Sequence, residues 1–162
     1  MNKEVIVYMI HGFIGYGKTT FAKKLVEETG AVKFTHDEWM LDLYGDNPQV
    51  EREVFEEYCR VIQNKIDEMA SEFLKRGHSV IIDTGFWARK ERNAYRDRVK
   101  SWGAKPVLYS VECSLETAKE RVRKRTAEMP EGAMFINDEA MDFLWTKFEP
   151  LHDDEERVAV KG

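Results

Sequence analysis

A glycine-rich segment near residue 12 has the residue types and spacing of a phosphate-binding loop. Residues 12–19 read Gly-Phe-Ile-Gly-Tyr-Gly-Lys-Thr, which matches the pattern G-x-x-x-x-G-K-[ST]. Glycines let such a loop wrap around phosphates, while Lys18 would reach the β- and γ-phosphates and the Thr19 hydroxyl would ligate Mg²⁺. The segment predicts a nucleoside triphosphate–Mg²⁺ site formed by Gly12, Gly15, Tyr16, Gly17, Lys18, Thr19 and Thr20.

The elements on either side of this loop are the ones that the motif requires. Residues 5–10 form a continuous apolar run rich in β-branched side chains, which is typical of a strand buried on both faces. Apolar residues then recur at helical spacing over 18–28, and Gly30 suits the end of that helix. Because a strand, a loop and a helix follow each other in this order, the context supports a phosphate-binding loop over an incidental glycine-rich turn.

Two aspartates follow predicted strands, at positions where ligands gather in open α/β sheets. Asp37 comes just after a second strand, where a carboxylate could accept the proton of an acceptor hydroxyl during phosphoryl transfer. The alternative for Asp37 is an N-cap for a helix over 38–44. Asp83 closes a third strand and could hold a Mg²⁺-bound water, or orient an arginine or the acceptor, and its alternative is a turn aspartate.

A basic segment near residue 121 could stabilise the transferring phosphoryl group. Arg121 and Arg125 are four residues apart and therefore share a helix face, from which they could reach equatorial phosphate oxygens. Arg123 and Lys124 point elsewhere and are predicted to be solvated. The alternative for all four is favourable positive charge near a helix C-terminus.

A second basic face follows Asp83. Arg89, Arg92 and Arg96 lie at helical spacing, which is usually the pattern of a solvated face. A contact between Arg89 or Arg92 and the acceptor is the functional alternative. Both arginines are therefore predicted as acceptor-side residues together with Asp83.

The remaining chain alternates predicted strands and helices. Further strands are predicted at 31–35, 79–82, 105–111 and 157–160, and further helices at 51–76, 88–102, 114–127 and 138–148. Ser114 and Asn137 are predicted N-caps, and residues 130–135 are a predicted loop. This alternation predicts an α/β fold around a parallel sheet with right-handed crossovers.

The length, charge and cysteine content of the chain limit the classes of protein to which it could belong. The chain has 162 residues with a net charge of −5, which suits one domain over 1–162 and gives no fold-wide basic footprint for nucleic acid. Its two cysteines form no disulfide or metal-binding pattern. No apolar stretch approaches the ~20 residues of a membrane span, so we expect a cytoplasmic protein.

The segment Asn64-Lys65-Ile66-Asp67 matches the guanine-reading motif NKxD of GTPases, but it lies inside a predicted helix. We therefore interpret it as part of a helix face.

These motifs together resemble the small P-loop kinases grouped around polynucleotide kinase, chloramphenicol phosphotransferase and zeta toxin. The resemblance covers most of the chain and is greatest to a bacterial subgroup of small ATP-binding proteins that carry an Asp-x-Gly-Phe-Trp segment and an Arg-Val-x-x-Arg lid. The segments that carry it are GFIGYGKTT at 12–20, HDEW at 36–39, IIDTGFWARKER at 81–92, ERVRKRT at 120–126 and FEP at 148–150.

The resemblance implies a three-layer P-loop NTPase sandwich of the adenylate-kinase type, with a five-stranded parallel sheet in the order 2-3-1-4-5 and a short lid at about 121–136. It implies ATP as the nucleotide, with Lys18 on its phosphates and Thr19 on Mg²⁺. It further implies Asp37 as general base, Asp83 as a residue that positions the acceptor or a lid arginine, and Arg125, less firmly Arg121, as lid arginines.

The chain departs from the family pattern in the lid. Thr126 stands where the lid arginine is often followed by asparagine, and Glu128-Met129 stands where a polynucleotide kinase tends to have another arginine. These differences weigh against a nucleic-acid acceptor.

The leading expectation is therefore ATP-dependent phosphorylation of a small-molecule hydroxyl, with Thr19 and Asp83 as the metal-side residues. A nucleic-acid 5′-hydroxyl kinase and a nucleotide-gated regulatory or toxin-like protein remain alternatives. A nucleoside monophosphate kinase fits less well, because its acceptor is a phosphate and needs no base. The sequence does not reveal the acceptor, whose pocket would be formed by residues 38–60 and 84–100.

Overall fold

Strands and helices alternate in the computed structural model of the protein, which describes residues 3–45, 50–128 and 136–162. The strands are β1 (Ile6–His11), β2 (Val32–Thr35), β3 (Val80–Gly85), β4 (Lys105–Glu112) and β5 (Val158–Lys161). The helices are α1 (Lys18–Thr29), α2 (His36–Tyr44), α3 (Arg52–Lys75), α4 (Arg89–Ser101), α5 (Leu115–Ala127) and α6 (Asp138–Trp145).

Each predicted strand and helix is present, and the differences lie at their ends. Asp83 does not close β3, which continues to Gly85, and α6 ends at Trp145 rather than at 148. Ser114 and Asn137 cap α5 and α6 as predicted, each with its side chain accepting a backbone N–H. The predicted loop at 130–135 and residues 129–135 of the predicted lid lie outside the described residues.

The five strands form one parallel sheet in the order β2-β3-β1-β4-β5, which confirms the predicted order. The central strand β1 pairs with β3 on one side and with β4 on the other. Because all strands run in the same direction, their carboxyl ends meet at one edge of the sheet. His11 there pairs with Gly85, and Thr35 pairs with Asp83.

Alternate residues of the central strands face two separate cores. Val7 and Met9 of β1 pack against α3 and α4, whereas Ile10 packs against α1, α5 and α6. The sheet is thus covered by helices on both faces, as its continuous apolar strands predict. No helix among the described residues has the length and apolarity needed to cross a membrane.

Candidate active site

The phosphate-binding loop connects β1 to α1 and depends on glycine at specific positions. Gly15 and Gly17 have φ values of +79° and +99°, which L-residues rarely adopt. A Cβ added to Gly15 would lie 2.7 Å from the carbonyl oxygen of Ala118 on α5. The loop can therefore keep this shape, and its close approach to α5, only with glycine.

The N-terminus of α1 is arranged to receive an anion. Gly17 precedes the helix, no side chain of the described residues caps it, and its first turn contains no acidic residue. Its first N–H groups and the positive end of its dipole therefore remain available to phosphate oxygens. Thr19 and Thr20 lie exposed in this first turn, whereas the Tyr16 side chain is buried in an aromatic cluster.

Lys18 lies close to the other charged residues of the site. Its Nζ donates a hydrogen bond to the Phe13 carbonyl oxygen at 3.1 Å, within the loop. Burial lowers the pKa of Lys18, the carboxylates of Asp83 and Asp37 oppose that shift, and Arg125 adds to it. The structure thus brings both predicted aspartates and one predicted lid arginine into electrostatic range of Lys18.

Asp83 is enclosed at the carboxyl end of β3. The Thr35 hydroxyl donates to Asp83 Oδ2 at 3.5 Å, and only 5% of the residue is exposed. Burial raises the pKa of Asp83, and the neighbouring Lys18 opposes this rise. Asp83 is therefore an internal strand carboxylate beside Lys18, and the turn-aspartate alternative does not fit its position.

Asp37 lies on the open side of the same edge. The N-cap residue of α2 is Thr35, so Asp37 occupies the first turn and its predicted N-cap alternative is wrong. The side chain of Asp37 is fully exposed, and its Oδ1 lies 4.0 Å from His36 Nδ1. A carboxylate in this position is accessible to a molecule that approaches the phosphate-binding loop.

Two of the predicted lid arginines lie on the loop side of α5. Arg121 donates to the Gly15 carbonyl oxygen at 3.3 Å, and the charge of Arg125 acts on Lys18. Arg123 instead binds Asp138 at the start of α6, with 2.9 Å between Nε and Oδ1. The predicted division between Arg121 and Arg125 on one face and Arg123 on another agrees with these contacts.

The acceptor-side prediction for Arg92 does not agree with its position. Arg92 is completely buried, and its Nε donates to both carboxylate oxygens of Glu155 at 3.1 and 3.2 Å. Its other donors bind the carbonyl oxygens of Phe86, Trp87, Glu149 and Pro150. Each nitrogen of the Arg92 guanidinium thus donates to another segment of the chain, and none faces an acceptor.

Arg89 likewise contacts the C-terminal segment. Its guanidinium binds Asp154 at 2.6 Å and lies 3.8 Å from Glu155. Its backbone N–H also donates to the Glu149 carboxylate at 2.9 Å. Arg89 therefore supports the same contact as Arg92 rather than the acceptor side.

The turn between β3 and α4 supports the phosphate-binding loop, a role that the sequence motifs did not predict. The Gly12 N–H donates to the Gly85 carbonyl oxygen at 3.3 Å, and Trp87 Nε1 donates to the Gly12 carbonyl oxygen at 3.2 Å. Between these contacts, Phe86 has an unusual positive φ of 47°. The signal in the sequence was the segment Gly-Phe-Trp after Asp83, whose aromatic residues resemble ordinary core residues.

A polar cavity of about 480 Å³ opens beside Asp37. It lies between α2, α3, the end of β3 and the start of α4, and His36, Asn64, Thr84 and Glu91 are among its lining residues. Of the lining residues, Cys59, Arg60, Thr84, Glu91 and Arg98 fall within the predicted regions 38–60 and 84–100, whereas His36, Gln63 and Asn64 lie outside them. The segment with the guanine-reading pattern contributes Asn64 to this wall from within α3, so it does not occupy the loop position that a guanine site needs.

The residues at this edge suit a metal ion that is held largely by phosphates. Within 3–45, 50–128 and 136–162, no group of three or more His, Cys, Asp or Glu side chains could hold a metal ion. Mg²⁺ in kinase sites is usually bound through one or two protein oxygens together with substrate phosphates. The Thr19 hydroxyl and the Asp83 carboxylate fit that arrangement.

The fold and the loop together define a P-loop nucleoside triphosphate-binding protein. The AAA_33 family model, an AAA domain, matches residues 7–151. Since this match spans most of the chain, the protein belongs to the AAA_33 family. A search of curated proteins finds no match.

Solved structures share the fold at low sequence identity. A candidate kinase from Chloroflexus aurantiacus J-10-fl is 17% identical with a TM-score of 0.75, over 98% of this chain and 89% of that chain. A gluconokinase from Sinorhizobium meliloti 1021 is 16% identical with a TM-score of 0.63, over 99% and 83%. A chain of the Pnkp1/Rnl/Hen1 RNA repair complex is 20% identical with a TM-score of 0.75, over 91% and 45%. These similarities show a fold shared with P-loop kinases.

Proposed function

We propose that the protein transfers the γ-phosphoryl group of ATP to a hydroxyl group of a small molecule. The proposal rests on the placement of three residues at one edge of the sheet. Lys18 begins α1, Asp83 pairs with Thr35 at the end of β2, and Asp37 follows Thr35 in the first turn of α2. A phosphate-binding loop alone would serve a regulatory switch equally well. An exposed carboxylate beside that loop suits the removal of a proton from an acceptor hydroxyl.

Each residue at this edge has a distinct role in the proposed reaction. Bound ATP with Mg²⁺ supplies the phosphoryl group and neutralises the charge that develops on it. Lys18 and the loop N–H groups hold the β- and γ-phosphates, while Thr19 and Asp83 orient the metal side. Asp37 would accept the proton of the acceptor hydroxyl as that oxygen attacks the γ-phosphorus, and the bond from the γ-phosphorus to the β,γ-bridging oxygen would break so that ADP leaves.

Arg121 and Arg125 would stabilise the phosphoryl group during transfer. Arg121 already contacts the loop at Gly15, and Arg125 lies within electrostatic range of Lys18. Positive charge at this position offsets the negative charge on the equatorial oxygens. Both arginines belong to the end of α5, from which the predicted lid continues.

A small acceptor fits this protein better than a nucleic acid. The net charge is −5, and the cavity beside Asp37 has the volume of a small-ligand pocket. The gluconokinase and a Janibacter sugar kinase with the same fold are named for small hydroxyl-bearing substrates. The RNA repair complex keeps a nucleic-acid 5′-hydroxyl as the second candidate acceptor.

The Asp37→Asn variant tests the assigned base. It should bind ATP with unchanged affinity and lose transfer by about 100-fold or more, because a positioned base typically contributes 10²–10⁴-fold. The measurement combines ATP titration with label transfer from γ-labelled ATP to small molecules of a deproteinised metabolite extract. Asp42→Asn, an exposed carboxylate on the same helix, is the matched control and should transfer normally. Wild-type transfer by Asp37→Asn would refute this role.

A further inference from the structure

The cavity beside Asp37 contains two arginines whose charges are already offset by carboxylates. Arg98 binds the buried carboxylate of Asp67, which also accepts hydrogen bonds from Tyr95 at 2.7 Å and Gln63 at 2.9 Å. Arg60 binds Glu57 one turn earlier on α3, with 2.9 Å between Nε and Oε2. Arg98 is thus engaged by a buried carboxylate, whereas the exposed Arg60–Glu57 pair offsets the Arg60 charge only in part.

Acidic side chains flank the same space. Glu91 lines the cavity from the first turn of α4, and Asp37 stands next to the lining residue His36. Partial desolvation raises the pKa of Glu91, and Arg92 and His36 partly oppose this rise. A carboxylate or phosphate bound next to Glu91 in the cavity would meet like charge, which disfavours its binding.

Neutral polar groups in the wall are suited to hydroxyl groups of a ligand. The Thr84 Oγ1 is buried and has no hydrogen-bond partner within the described part of the chain. Leaving a buried hydroxyl unpaired is costly, so a ligand that donates or accepts there would be favoured. Asn64 adds an exposed amide from α3 that can both donate and accept. Because Thr84 directly follows Asp83, such a ligand would lie against the phosphoryl-transfer edge.

We infer that the acceptor is a polyhydroxylated small molecule without negative charge, such as a neutral sugar, a polyol or an amino sugar. This inference rests on the proposed function and adds the substrate class. Thr84 and Glu91 bind its hydroxyl or amino groups, and the Glu91 carboxylate disfavours sugar acids and phosphorylated compounds. The cavity volume of about 480 Å³ accommodates a molecule of this size.

Fractionation of the acceptor source by charge tests this class. A deproteinised metabolite extract is divided on an anion-exchange column before the reaction, and each fraction is then incubated with the protein, Mg²⁺ and γ-labelled ATP. We expect labelled product from the unretained fraction, which holds neutral and cationic molecules, and its loss with Lys18→Ala. Label only in products of the retained, anionic fraction would overturn the substrate class and leave the proposed function intact. Label in neither fraction would instead contradict the proposed function.

Two variants test the assigned contacts once an accepting fraction is known. Thr84→Val and Glu91→Gln should each raise the KM for the unretained acceptor by roughly tenfold, the scale of one lost hydrogen bond to a buried or charged group. Their ATP affinity should stay at the wild-type value, which separates a lost contact from a misfolded site. Glu116→Gln is the matched control, since Glu116 is also a first-turn glutamate but belongs to α5. Unchanged KM values in both cavity variants would overturn the assignment.

Discussion

His11 is a buried, titratable residue that lies directly before the phosphate-binding loop. It is 3% exposed, and neither ring nitrogen has a hydrogen-bond partner among the residues that the structure describes. Its ring stacks on Phe148 with 4.9 Å between centroids. Burial, reinforced by the charge of Arg92, lowers the pKa of His11 to about 4. The ring is therefore neutral in the folded protein at neutral pH.

This shift predicts a loss of stability as the pH falls from about 6.5 to about 4. The unfolded chain binds a proton at His11 below pH 6.5, whereas the folded chain does so only near pH 4, so protons favour unfolding in this window. The loss reaches about 3 kcal/mol at the lower end. Urea unfolding from about pH 7 to about pH 5 should show a smaller pH dependence for His11→Phe, which retains the aromatic stack. Equal dependence in both proteins would contradict the shift.

At the scale of elements, the C-terminal segment is held against the turn that supports the phosphate-binding loop. Arg92 on α4 binds Glu155 and the carbonyl oxygens of both Glu149 and Pro150. Phe148, next to them, packs on Phe13 in the loop with 5.4 Å between ring centroids. The Phe-Glu-Pro segment therefore packs against the phosphate-binding loop and the turn that supports it. This packing gives a structural reason for its place in the family pattern.

Breaking this contact should be far more damaging than breaking an exposed ion pair. Arg92→Met removes the only arginine that hydrogen-bonds the buried Glu155 carboxylate among the described residues, and leaves Arg89 and Arg96 at 3.8 and 3.7 Å. It should lower the free energy of unfolding by about 3–5 kcal/mol. Arg123→Met removes an ion pair with Asp138 that is half exposed and should cost at most about 1 kcal/mol. Urea denaturation compares the two variants.

A double-mutant cycle isolates the interaction between the buried partners. Arg92→Met combined with Glu155→Met removes both charges, so the double variant should be more stable than the sum of the single effects predicts. Additive losses, or equal losses in Arg92→Met and Arg123→Met, would show that the buried ion pair does not stabilise this contact.

Local patterns predicted the elements well, and long-range contacts account for what they missed. The strands and helices followed from apolar periodicity, and Asp37 and Asp83 from their place after apolar runs. The helical spacing of Arg92 after Asp83 suggested either a solvated face or a contact with the acceptor, and neither agrees with its complete burial. Its actual partner Glu155 is 63 residues away in sequence, so no local pattern could reveal it.

At the scale of the whole molecule, the parallel sheet is what assembles the site. Its strand order places β1 between β3 and β4, so the phosphate-binding loop lies beside the ends of the strands that carry or precede Asp83 and Asp37. The cavity could not be described from sequence, because its walls come from four elements. Its charge balance also depends on the pairing of Arg98 with Asp67, 31 residues away. The fold was thus predictable from sequence, whereas the proposed acceptor class depends on contacts that only the structure provides.

Transfer of the γ-phosphoryl group to a hydroxyl can be followed directly by ³¹P NMR. The protein is incubated with ATP, Mg²⁺ and a deproteinised metabolite extract, and the γ-phosphate resonance is monitored as it disappears. We expect a new phosphomonoester resonance that is absent with Lys18→Ala. Conversion of the γ-phosphate only to inorganic phosphate, or to a phosphoanhydride, would contradict it.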